Sequence, residues 1–168
     1  VAARILIMDE VDKIVTAWQR ERPDLNLDAL QVLSRISRLA HHLDAGRKSA
    51  FAKSDLESWE FDVLASLRRA GKPYALPPRE LIKENLVTSG TMTNRIDQLE
   101  KRNLVSRRPD PADGRSVIVS LTETGKQLVD AAFSNLLEIE AELLADLSKA
   151  DQAELAALLR SLTVQFNN

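Results

Sequence analysis

The segment LVSRRPDPADGRSVIVSLTETG, Leu104 to Gly125, constrains the fold more than any other. Val117, Val119 and Leu121 alternate with Ser116, Ile118 and Ser120, the period-2 signature of a half-buried strand, and a partner strand begins at Leu104 and Val105. Between them Pro109 and Pro111 restrict the backbone and Gly114 permits a tight turn, which leaves Arg115 at or near the tip. Helical periodicity dominates the rest of the chain. One strand, stiff loop and strand must therefore dock on a helical body.

The helices follow from apolar spacing and from capping residues. Ile7, Val11, Ile14 and Trp18 form one stripe, which ends at RERPDLN, where Pro23 stops the helix. A second helix carries Leu30, Leu33, Ile36, Ala40 and Leu43 on one face and is expected to run out near Gly46. Ser54 with Glu57 has the spacing of a capping box, predicting a third helix over LESWEFDVLASLRRAG that Gly71 closes. Pro77 and Pro78 suit the start of a short helix through Asn85. A brief LVTSG turn then leads into the helix TMTNRIDQLEKRN. Thr122 can cap a long helix with Leu128, Ala132, Leu136, Ile139 and Leu143 at core spacing. Ser148 with Asp151 marks a last helix carrying Leu155, Leu158, Leu162 and Phe166.

The middle elements run helix, short helix, tight turn, helix, strand, stiff loop, strand. That order is the winged helix-turn-helix, in which the helix after the turn enters the major groove and the loop forms a wing beside it. In the expected recognition helix Met92, Ile96 and Leu99 make the inward stripe, so at about 100° per residue Gly90, Thr91, Thr93, Asn94 and Gln98 point outward or sideways. Small hydroxyls and an amide suit phosphates and base edges, the amide pairing with adenine. Ser89 at the start of this helix and Arg108, Asp113 and Arg115 on the wing complete the expected DNA-contacting set. A guanidinium on a rigid loop suits the negative potential of a narrow minor groove. Asp113 cannot favour phosphate and is read as a brace for a neighbouring arginine or for the turn.

Charge distribution agrees with this. The net charge of -2 hides a segment from Lys101 to Arg115 with five basic and two acidic residues, while eight acidic residues face three basic ones from Glu123 onward. A compact basic patch on an otherwise acidic chain suits a polyanion touched at one place. With no Cys there is neither disulfide nor thiolate metal site, and the adjacent His41 and His42 point about 100° apart on a helix, a poor metal pair. No Gly-rich phosphate loop and no nucleophile-base constellation stand out, so no enzyme, metal or cofactor is expected. Nothing resembles a signal peptide and no apolar run approaches the roughly 20 residues of a membrane span, which predicts a soluble, cytoplasmic protein with no membrane partner. The chain begins with Val, and a trimmed N-terminus is expected.

TSGTMTNRIDQLEKRNLVSRRPDPADGRSVIVSLTETG resembles the recognition helix and wing of the MarR family of bacterial transcriptional regulators, and the resemblance extends over essentially the whole chain. It implies a homodimer made by interlocking first and last helices. Members often carry arginine where this chain has Gly114, which leaves Arg115 as the wing-tip contact. WQRERPDLN is similar to the urate-responsive, PecS-like branch of that family. This narrower resemblance implies a ligand site built from Trp18, Asp62, Arg95 and Arg107. Phe61 departs from it, since some members place another arginine there. Independently, Arg95 lies roughly 60° from the Met92/Ile96/Leu99 stripe and can reach beneath the helix. A planar anionic purine suits an indole face and guanidinium donors.

The expectation is a mainly α fold with a small β-wing: N-terminal helices over 1–50 for dimerisation and a pocket wall, a winged helix-turn-helix over 54–122, and C-terminal dimerisation helices over 123–168. The expected function is a repressor that binds a pseudo-palindromic double-stranded operator as a homodimer and is released by a small aromatic or purine anion such as urate. The alternative is a helical protein-interaction module that binds no DNA.

Overall fold

A computed structural model describes residues 8–110, 113 and 116–166. The chain divides between Gly46 and Arg47 into two compact units. In the first, α1 (Glu10–Glu21) starts at Asp9, whose carboxylate accepts from the Asp12 N–H while the Asp12 carboxylate accepts from the Asp9 N–H, a reciprocal cap. Arg35 on the following helix, α2 (Asp28–Ala52), donates to Asp9 and Asp12, and Arg38 donates to Glu10. Val11 and Val15 are buried, whereas Trp18 is half exposed. Ile7 lies outside the described residues.

Helix α2 does not run out at Gly46. It continues to Ala52, because its next turn contributes Ala50 and Phe51, both fully buried, to the core of the second unit. One glycine inside a helix costs only about 1 kcal/mol relative to Ala, which such burial outweighs. Ser54 likewise does not cap the third helix. It sits in the turn after α2, where its N–H donates to the Phe51 carbonyl, and α3 (Ser58–Arg69) begins instead at Glu57, whose N–H donates to the Glu60 carboxylate. Gly71 follows its end in the left-handed region (φ 76°), as expected for a C-terminal stop.

Next come β1 (Ala75–Leu76), α4 (Pro78–Asn85) and α5 (Ser89–Lys101), then β2 (Val105–Pro109) and β3 (Val117–Leu121). The sheet is antiparallel in the order β1-β3-β2, with Val105 opposite Leu121 and Arg107 opposite Val119. The two-residue β1 has no period of its own to betray it, yet it makes β3 central. It pairs Ala75 with Ser120, so that Ser120 is buried although simple alternation placed it outside; Val117, beyond β1's reach, is 43% exposed. Helix α6 (Glu123–Leu143) starts at Thr122, whose hydroxyl accepts the Gly125 N–H. Gly125 packs so closely on the Leu104 carbonyl that a Cβ there would collide with it, locking the root of β2 to α6. Helix α7 (Lys149–Thr163) and a short 3-10 turn (Val164–Phe166) end the described chain.

One core joins the end of α2, α3, α4, α5, the sheet and α6: Phe51 stacks on Phe61, and Leu64, Leu67, Leu81, Met92, Leu99, Val119 and Ala132 are fully buried with them. Leu143, expected in the core, is 49% exposed because the final turn of α6 has passed beyond it. Among the described residues no helix is long and apolar enough to cross a membrane.

Candidate nucleic-acid interface and effector site

Helix α5 is fixed on one face and open on the other. Its inner residues Met92, Ile96 and Leu99 are at most 2% exposed, while Ser89, Gly90, Thr91, Thr93, Asn94 and Gln98 are all exposed or partly so. Thr88 caps it by accepting the Thr91 N–H. The Gln98 amide donates to the Asn94 side-chain oxygen (3.2 Å), which leaves the Asn94 NH₂ group turned outward as a donor. A row of hydroxyls and amides on a helix that cannot rotate is suited to reading polar edges.

Two ion pairs set the pose of this helix. At its end, Arg102 donates to both carboxylate oxygens of Glu60 (2.7 and 2.6 Å), and its other nitrogen reaches the backbone and side chain of Asp55. Glu60 is 3% exposed, so this pair is buried on its acidic side and ties α5 to the start of α3. On the wing, Arg107 donates to Asp97 and, at 2.6 Å, to Glu100, both on α5. Burial alone would lower the affinity of Arg107 for its proton, but the hydrogen bonds to Asp97 and then Glu100 outweigh it and hold the guanidinium above its usual pKa. Arg108 is exposed on β2. The Asp113 backbone carbonyl accepts the Ser116 N–H and hydroxyl, so Asp113 braces the turn through its main chain. Pro111, Gly114 and Arg115 lie outside the described residues.

The four residues assigned to a ligand occupy different surroundings. Arg95 turns away from the polar row and stacks its guanidinium 5.6 Å from the centre of the Trp59 ring on α3. Asp62, three residues after Trp59 and therefore on the same face of α3, pairs with Arg47 at 3.2 Å. Arg107 is engaged by Asp97 and Glu100, which on helical geometry lie about 140–200° around α5 from Arg95. Trp18 is half exposed on α1.

Asp62 lines a cavity of about 530 Å³ between α3 and α6. The floor is apolar, with Phe61, Ala65, Val129 and Leu136, and the rim carries Arg47, Arg68 and Arg69 beside Asp130 and Glu140. That volume falls in the range of small-molecule sites. Arg68 pairs with Asp130 at 2.8 Å, a hydrogen bond that raises its pKa, and packs 4.9 Å from the Tyr74 ring centre; Arg69 pairs with Glu84. Sequence reasoning missed these arginines. The pair in LRRAG was a visible signal at a helix end, but Arg47 was hidden by the expectation that α2 stops at Gly46.

Comparison with known proteins agrees with this geometry. A MarR family model matches residues 54–116, which span α3 to the wing. The transcriptional regulator PecS of Dickeya dadantii is 36% identical over 150 residues, covering 89% of this chain and 90% of that protein. Among solved structures, a mutant of MarR from E. coli complexed with operator DNA aligns with a TM-score of 0.65 at 27% identity, covering 86% of this chain and 96% of that one. BpsR of Bordetella bronchiseptica, whose DNA binding is regulated by 6-hydroxynicotinic acid, aligns at 0.67 and 27%, covering 83% and 97%.

Proposed function

The chain belongs to the MarR family of DNA-binding transcriptional regulators, not to an enzyme family, and on that premise we propose that it is a homodimeric repressor released from a pseudo-palindromic operator by a small aromatic anion, urate in the first instance. The observation that carries the reading is α5 itself: three buried apolar residues hold it while Thr91, Thr93, Asn94 and Gln98 stand on its open face. Two copies related by a dyad present two such rows about one helical turn of DNA apart. The dimer is supported by α7, which buries none of its residues within the chain and exposes Leu155, Leu158 and Leu162.

Release follows from what the arginines now hold. An anion that draws Arg95 from Trp59, or Arg107 from Asp97 and Glu100, alters the support of α5 and of the wing. A ligand regulates only through such a difference in affinity between two states, and DNA must then weaken ligand binding by the same factor. Asp62 supplies an acceptor for the N–H groups of a purine at the mouth of the α3–α6 cavity. The class of ligand accords with the regulation of BpsR by 6-hydroxynicotinic acid.

The test is an operator-release titration with urate and related aromatic anions. Wild type should release; Arg95→Ala and Arg107→Ala should stay bound, and Asp62→Ala should need more ligand. Wild type that stays bound through millimolar ligand, or variants that all release normally, would contradict the effector reading. Absence of salt-dependent DNA binding would favour an interaction module instead.

A further inference from the structure

The tight turn between α4 and α5 contains Leu86, in the left-handed region with φ 51° and ψ 43°. Four other described residues have clearly positive φ: Gly71, Asp55, Asn103 and Tyr74. Gly, Asp and Asn are the types that tolerate this region. Tyr74 is not, but its ring is packed under Arg68. Leu86 has neither excuse. It is 91% exposed, and its chain neighbour Val87 takes the inward place against the core. Its N–H closes α4 by donating to the Ile82 carbonyl, a job that glycine or asparagine would do without strain.

A bulky apolar residue kept in the left-handed region costs the isolated fold, and here the side chain contributes no packing in return; it is the strain that points to a contact outside the chain. Its location identifies the partner. Leu86 precedes the Thr88 cap by two residues, and the exposed Ser89, Gly90 and Thr91 that begin the open face of α5 follow within five. We propose that Leu86 is a further DNA-contacting residue, which places its two methyl groups against thymine methyls at the edge of the major groove. Thymine C5-methyl is the one apolar feature the major groove offers, and apolar side chains read it. The polar row of α5 then reads hydrogen-bonding edges while Leu86 adds a preference for T at a flanking position. This inference rests on the reading of α5 as the base-contacting helix.

The experiment uses the full chain and an operator selected from random DNA by binding. Leu86→Asn suits the left-handed backbone, so it should leave the melting temperature equal to or above that of wild type while weakening operator binding about fivefold to tenfold. Each thymine of the operator is then replaced in turn by uracil, which lacks only the methyl group. One position per half-site should weaken wild type by a similar factor and leave Leu86→Asn unaffected. Unchanged operator affinity in Leu86→Asn would overturn the proposal, as would a weakened variant with no uracil position that distinguishes it from wild type. Asn94→Ala serves as the control: if it loses operator discrimination and Leu86→Asn does not, this inference alone fails; if neither does, the reading of α5 fails with it.

Discussion

Helices α5 and α7 carry the same pattern and meet opposite fates. Met92, Ile96 and Leu99 are spaced by four and three; Leu155, Leu158 and Leu162 by three and four. The first three are at most 2% exposed, the second three 37%, 60% and 40%. Periodicity thus tells which face of a helix is apolar, but not whether the covering surface lies in the same chain. In α5 the cover is its own core, which leaves the other face open for the proposed DNA contact. In α7 the described chain supplies no cover, and the proposed second copy does.

Truncation at equivalent places should separate the two. Leu99→Ala should lower unfolding free energy by about 2–5 kcal/mol at every protein concentration, as for a large-to-small change in a filled core. Leu158→Ala should act chiefly through association, with a loss that vanishes at concentrations where both proteins are single copies and rises to a plateau where both are paired. Chemical denaturation at several concentrations checks both, and equal, concentration-independent losses would erase the contrast.

Electrostatics sharpens it next. Arg102→Ala strands the buried Glu60 carboxylate and should cost about 3 kcal/mol, within the range for a broken buried pair. Arg35→Ala, which removes solvent-screened pairs to Asp9 and Asp12, should cost far less. Similar losses in the two denaturation curves would show that the Glu60 pair is no special anchor for α5.

On the open face, Asn94→Ala should reduce discrimination between operator and random DNA by about 1–3 kcal/mol while affecting non-specific binding less. Competition binding measures both, and an equal fall in the two would make Asn94 a backbone contact.

The smallest effect belongs to α1. Asp9 has a lowered pKa through the Asp12 N–H and then Arg35, and Glu10 through Arg38. Groups with depressed folded pKa values stabilise above their unfolded values, about 3.9 and 4.3, and lose that contribution as pH falls through the folded ones. Carboxyl-carbon NMR titration should put both midpoints below those values, and ordinary midpoints would show that these exposed pairs are not formed in solution.

The contrast also shows what a sequence can disclose. The inner stripe of α5, its polar row, the Thr122 cap and the stop at Gly71 were legible because each rests on local geometry or on a single residue's hydrogen bond. The continuation of α2 through Gly46 was not, because burial of Ala50 and Phe51 by distant elements decided it. Strand β1 was too short to show a period, and with it went the burial of Ser120. Among site residues, the inward turn of Arg95 could be seen from its angle on the helix, whereas its partner Trp59, the Glu60–Arg102 pair and the engagement of Arg107 by Asp97 and Glu100 needed the tertiary fold.

The most direct test of the difference between the two helices is the mass of the protein in solution, free and on operator DNA, by analytical ultracentrifugation of wild type and of a Leu158→Asp, Leu162→Asp double variant. Two copies should assemble in wild type, and two should bind one operator. The variant should remain folded by circular dichroism, with the α5 core intact, yet sediment as one copy and lose high-affinity operator binding. A wild type that sediments as a folded single copy and binds the full operator tightly in that state would contradict the account.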